Sequence, residues 1–66
     1  MLLSVQDMTC GHCIKAVTAA VQALAPAARV DVDLAAGTVR ISGAIDAEAA
    51  LRAIRDEGYP ASLVEP

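Results

Sequence analysis

Leu3 and Val5 alternate with Ser4 and Gln6 at the start of the chain, the period-two pattern of a strand that buries one face, and the alternation ends at Asp7-Met8-Thr9. From Cys13 the apolar positions are Cys13, Val17, Ala20, Val21 and Leu24, which line one stripe of a helix while Lys15, Thr18 and Gln22 fall opposite. This spacing predicts a helix from about Gly11 to Leu24. Pro26 stops it, because proline has no amide hydrogen and disfavours helical geometry in the residue before it.

Val30, Val32 and Leu34 then alternate with Arg29, Asp31 and Asp33, and Val39 and Ile41 alternate with Thr38, Arg40 and Ser42. With Ala35-Ala36-Gly37 as the turn between them, the two runs predict a hairpin with one wet face. Asp46 is suited to accept hydrogen bonds from the free amides of a second helix, Glu48 favours its positive end, and Ala47, Ala50, Leu51 and Ile54 form its apolar stripe. Gly58 supplies a left-handed cap, and Ala61–Val64 makes one last short strand that Pro60 keeps out of a central ladder. The order strand, helix, strand, strand, helix, strand is two split βαβ units. It predicts an α+β, ferredoxin-like fold: a four-stranded antiparallel sheet with both helices on one face and the other face open to solvent.

Sixty-six residues allow one domain, 1–66, and its core is thin: fifteen of the apolar residues are alanine and Tyr59 is the sole aromatic. Five basic side chains against eight acidic ones give a net charge of -3. The basic residues Lys15, Arg29, Arg40, Arg52 and Arg55 are scattered among acids, which argues against nucleic-acid binding. No apolar run approaches the roughly 20 residues of a membrane span, and Met1–Asp7 lacks the basic and apolar regions of an export signal. The expected compartment is the cytosol. There a close cysteine pair serves metal binding or redox chemistry more often than a structural disulfide.

That pair is Cys10 and Cys13, separated by Gly11 and His12 at the junction of the first strand and first helix. Free amides and the positive helix end favour thiolate over thiol there, with Lys15 as a further contributor, so both thiol pKa values are expected to be lowered. A soft closed-shell ion such as Cu(I) accepts two thiolates in a nearly linear arrangement, whereas Zn(II) prefers four ligands and this chain has no other cysteine. The same Cys-Gly-His-Cys letters also suit a dithiol redox site. Both readings stand at this level.

The longer string Met8-Thr9-Cys10-Gly11-His12-Cys13 after an N-terminal strand, with Gly58-Tyr59 just before the last strand, resembles the heavy-metal-associated domain and in particular its free-standing bacterial copper chaperones. The resemblance spans essentially the whole chain. It implies a non-enzymatic protein that binds Cu(I) through Cys10 and Cys13 and hands it, by thiolate exchange through a three-coordinate intermediate, to the metal-binding domain of a copper-transporting P-type ATPase. It also implies a possible copper-bridged homodimer. Around the ligands it assigns supporting places to Met8, which packs into the core, to Thr9, a loop or helix-capping residue, and to Tyr59, which packs near the cysteines. His12 is a further supporting residue, expected to face solvent and, where it acts, to serve as an extra ligand in a dimer or with a second metal. Asp7 departs from the family, which often has glycine there; it removes no ligand.

Three alternatives accompany this reading. A thiol-disulfide oxidoreductase of the thioredoxin type is larger and usually carries tryptophan before its first cysteine, and this chain has none. A domain excised from an ATPase would share the fold, although Met1 beside the first strand and Pro66 soon after the last favour a complete product. Carriers of Zn(II) or Cd(II) tend to add carboxylates, for which Asp7 is the nearby candidate, and Hg(II) carriers share the two-cysteine geometry; Tyr59 and the free-standing length favour copper. An acidic acceptor would have to be met by Lys15, Arg52 and Arg55.

Overall fold

The computed structural model describes residues 1–66 and holds six elements: β1 (Leu2–Val5), α1 (Gly11–Leu24), β2 (Arg29–Asp33), β3 (Thr38–Ser42), α2 (Ala47–Asp56) and β4 (Ala61–Glu65). The sheet order is β2-β3-β1-β4 and every neighbouring pair is antiparallel, so the ferredoxin-like arrangement predicted from the pattern is the fold observed. Each helix crosses over one intervening strand, α1 from β1 to β2 and α2 from β3 to β4.

The central strands supply the deepest core. Leu3 and Val5 of β1 and Val39 and Ile41 of β3 are almost wholly buried, against Val17 and Val21 of α1 and Ala50, Leu51 and Ile54 of α2. Strand alternation turns Arg29, Asp31, Asp33, Arg40 and Ser42 to the opposite face, where all five are exposed as expected. The edge strands bury less: Val30 and Val32 of β2 are half-buried, and Leu63 and Val64 of β4 are 42% and 53% exposed. Pro60 thus precedes an edge strand, the position that a missing donor permits.

Two residues of the predicted α1 stripe, Ala20 and Leu24, lie outside the core cluster, and Ala20 is half-buried. Leu24 is 51% exposed. Fourteen helical residues span about 21 Å, whereas strands of four or five residues reach roughly 17 Å, so the last turn of α1 overhangs the sheet it packs on. In α2, Asp46 caps the helix by accepting from the Ala49 amide at 3.1 Å, and Gly58 takes the positive φ of 97° that ends it, both as the sequence predicts.

The end of β1 is held from both sides. The Val5 amide donates to the Gly37 carbonyl at 2.8 Å, and the Gln6 amide donates to the Pro60 carbonyl at 2.9 Å. Gly37 itself turns at φ 69°, and the turn is closed by Asp33, whose Oδ1 accepts from the Ala36 amide at 3.0 Å. The cysteine segment therefore leaves the sheet from a fixed point.

Candidate functional site

Beyond that fixed point the backbone makes an abrupt turn. Asp7 adopts φ 68°, the left-handed region that favours glycine, and no other non-glycine residue in the chain does so. The turn drives Met8 inward, where it joins the buried core, and leaves Thr9 and Cys10 at the surface. Met8 therefore fills the core beneath the loop, as expected, with its thioether inside the hydrophobic cluster.

Cys10 is the N-cap of α1. Its backbone is extended, with φ -159° and ψ 177°, and its carbonyl accepts from the amides of Cys13 at 3.0 Å and Ile14 at 3.3 Å. Its side chain makes no cap hydrogen bond, so the sulfur is exposed and free. Cys13 is one helical turn further on and its side chain is buried at the top of the core. Two thiols of unlike exposure thus stand together at one helix start.

The surroundings of Cys13 favour its charged form. Its pKa falls from 9.0 to about 6, chiefly through the Tyr59 side chain and then through the backbone amides of Thr9 and Cys10, while burial opposes the shift. The contacts at hydrogen-bond distance come from Thr9, whose amide donates to Sγ at 3.5 Å and whose hydroxyl lies 3.9 Å from it. The counterpart is visible at Tyr59, whose pKa is raised because its proton stabilises the Cys13 sulfur. Expectation and structure agree on the direction for Cys13, but the expected help from Lys15 is absent from its causes.

Tyr59, predicted to support the site, is half-buried against the core and does stand beside Cys13. His12 is exposed between the two cysteines. Of the two places expected for Thr9, loop or helix cap, it takes the loop, since Cys10 fills the cap position, and from there its amide reaches the Cys13 sulfur. A backbone amide aimed at sulfur leaves no trace in residue type, which is why sequence reasoning missed it. No group of three or more His, Cys, Asp or Glu side chains converges anywhere in the chain. The largest groove, of about 460 Å³, lies beside the loop between Ser4–Met8 and Leu34–Gly37; neither cysteine lines it. The candidate site is a protruding surface, suited to being met by another molecule more than to enclosing one.

Residues 2–60 match the profile of the heavy-metal-associated domain. The chain belongs to this family. Among solved structures, the copper chaperone Atx1 from Synechocystis PCC6803 is 35% identical with a TM-score of 0.89, over 94% of this chain and 98% of that one. A CopZ metallochaperone is 30% identical with a TM-score of 0.86, over 94% of this chain and 97% of that one. A gold-binding protein is 31% identical with a TM-score of 0.85, over 92% and 94% respectively. No curated protein matches the sequence significantly. The heavy-metal-associated fold thus extends over nearly all of the chain, and no helix is long and apolar enough to cross a membrane.

Proposed function

We propose that this heavy-metal-associated chain is a cytosolic Cu(I) carrier, acting as one domain over residues 1–66 without catalytic turnover. Cys10 and Cys13 hold the ion, and the acceptor is the metal-binding domain of a copper-transporting P-type ATPase. The observation that carries this reading is the unlike pair of sulfurs at the start of α1: Cys10 exposed and free, Cys13 buried and biased to thiolate at about pKa 6. A soft monovalent d10 ion needs two thiolates and nothing more, and the absence of any converging third ligand suits it better than Zn(II). The likeness to two copper chaperones and to a gold-binding protein supports an ion of this class.

The asymmetry also orders the transfer. A thiolate of the acceptor adds to the bound ion on the open side, giving a three-coordinate copper, and the Cu–S bond to Cys10 breaks first because Cys10 has no hydrogen bond to hold its side chain. Cys10 leaves as thiolate, a second acceptor thiolate adds, and the bond to Cys13 breaks last. Copper remains Cu(I) throughout, so the exchange needs neither oxidant nor reductant. Two such open loops facing each other are able to share copper as a bridged homodimer.

Anaerobic titration of the reduced protein with Cu(I) against a chromophoric chelator, with Zn(II) in parallel, tests the proposal. One tightly held copper per chain with zinc losing the competition is the expected result. Weak copper binding by intact thiols overturns it and directs attention to the dithiol redox potential, which a lowered Cys13 pKa also serves.

A further inference from the structure

Tyr59 lies within a short connection, residues 57–60, between the end of α2 and the start of β4. The amides of Glu57 and Gly58 continue the helical turn, donating to Ile54 and Arg55 at 3.1 and 2.9 Å, but the grip weakens at Tyr59. Its amide reaches the Ile54 carbonyl only at 3.4 Å, Gly58 before it takes the permissive φ of 97°, and Pro60 after it has no amide to donate. The ring nevertheless packs, half-buried, against the core cluster that contains Cys13.

A side chain closes the connection. Arg55, in the last turn of α2, donates from Nε and Nη2 to the Ala61 carbonyl at 3.1 and 2.7 Å. Ala61 opens β4 and pairs with Val5, the last residue of β1 before the chain departs for the cysteine loop. The two bonds therefore tie the helix end to the strand start across Tyr59. A planar guanidinium placing two charged donors on one acceptor fixes direction as well as distance, which a single flexible ammonium does not.

We propose that Arg55 is a positioning residue for the copper site: by closing the connection it holds the Tyr59 ring beside Cys13, and the held ring slows the loss of copper from the buried sulfur. This rests on the Cu(I)-carrier reading and goes beyond it, naming what governs the last bond to break. With the ring released, an incoming ligand gains a second line of approach to the ion.

Tyr59 is the sole aromatic residue, so tyrosine emission of the full chain reports on it alone. In the metal-free protein Arg55→Ala should raise acrylamide quenching of that emission by about 2-fold, and Arg55→Lys, which keeps the charge and loses the fork, by less. Far-UV circular dichroism should match the parent for both, because the contact is solvent-exposed. Copper loading at one per chain is measured next; failure there refutes the carrier reading, and the rate inference with it. With loading established, anaerobic stopped-flow transfer to neocuproine, a neutral chelator indifferent to the lost charge, should be about 3–10-fold faster from Arg55→Ala and intermediate from Arg55→Lys. In a Tyr59→Ala background Arg55→Ala should add nothing to the rate, whereas a general loosening of the fold would accelerate transfer there too. Unchanged quenching, an unchanged transfer rate, or acceleration that persists without Tyr59 would overturn the inference while leaving the carrier reading intact.

Discussion

The Tyr59 side chain and the Cys13 sulfur stabilise each other's opposite protonation states: the thiol pKa falls to about 6 chiefly because of the tyrosine, and the phenol pKa rises because of the thiol. The two residues are 46 positions apart in sequence and meet only because α2 returns the chain to the pole where α1 begins. Replacing Tyr59 by phenylalanine removes the hydroxyl and keeps the ring. The midpoint of Cys13 alkylation against pH, followed by mass spectrometry in a Cys10→Ser background, should then move up from about 6 toward the ordinary thiol value. An unmoved midpoint would assign the whole shift to the Thr9 and Cys10 amides.

The same shift makes stability depend on pH. The folded-state pKa of Cys13 lies below the unfolded value of 9.0, so between the two the unfolded chain binds more protons and stability rises with pH. The contribution is fully present above about pH 9 and is lost as pH falls through about 6. Urea midpoints of the reduced apo protein should therefore fall from pH 9 to pH 6, and the Tyr59→Phe variant should show a shallower fall.

Cys10→Ser and Cys13→Ser should each abolish tight Cu(I) binding, but their effects on the apo fold should differ. Cys10 is exposed, and its capping role is carried by its backbone carbonyl, so the serine variant should unfold at the wild-type midpoint. Cys13 is buried in the core cluster, where a hydroxyl costs about 1 kcal/mol or more. Far-UV circular dichroism and urea titration check the fold, and chelator competition checks the metal. Retention of tight 1:1 binding by either variant would sink the ligand assignment.

Asp7 provides a separate test of the loop. Asp7→Gly should be neutral or slightly stabilising, because glycine relieves the left-handed strain at φ 68° but adds freedom to the unfolded chain. Asp7→Val, β-branched in the same backbone, should cost about 1–2 kcal/mol in urea unfolding. Equal stability of the two variants would mean that the loop rearranges when the residue changes.

How much of this was legible in the sequence follows from where each signal resides. Leu3 and Val5, Val39 and Ile41, and the Val17–Val21 and Ala50–Ile54 faces bury as their spacing dictates, because pleat and helical pitch convert position directly into direction. The cysteine pair was legible as a motif, and Gly58 and Asp46 as caps. Leu24 misled because periodicity marks a face without saying where the opposing sheet ends. Thr9 was legible as a supporting loop residue, but the amide through which it reaches the Cys13 sulfur was not, because a main-chain donor leaves no trace in residue type. Arg55 could be read as a free surface cation until α2 and β4 were placed side by side.

The Arg55 contact also guards the free edge of β4. Because the Gln6 amide donates to the Pro60 carbonyl, alternate residues of β4 direct their polar groups at β1, and Ala61 and Leu63 direct theirs at the free edge. An edge strand that carries exposed Leu63 and Val64 is a template for pairing with another chain, and Arg55 covers one of its outward carbonyls with two hydrogen bonds. Arg55→Ala should cost about 1 kcal/mol of stability, small because the contact is solvent-exposed, and should raise concentration-dependent self-association measured by sedimentation velocity of the metal-free protein. Arg55→Ala/Leu63→Lys, which restores a charge to the edge, should return the sedimentation profile to that of the parent; association that persists in the double variant would place the contact elsewhere on the surface.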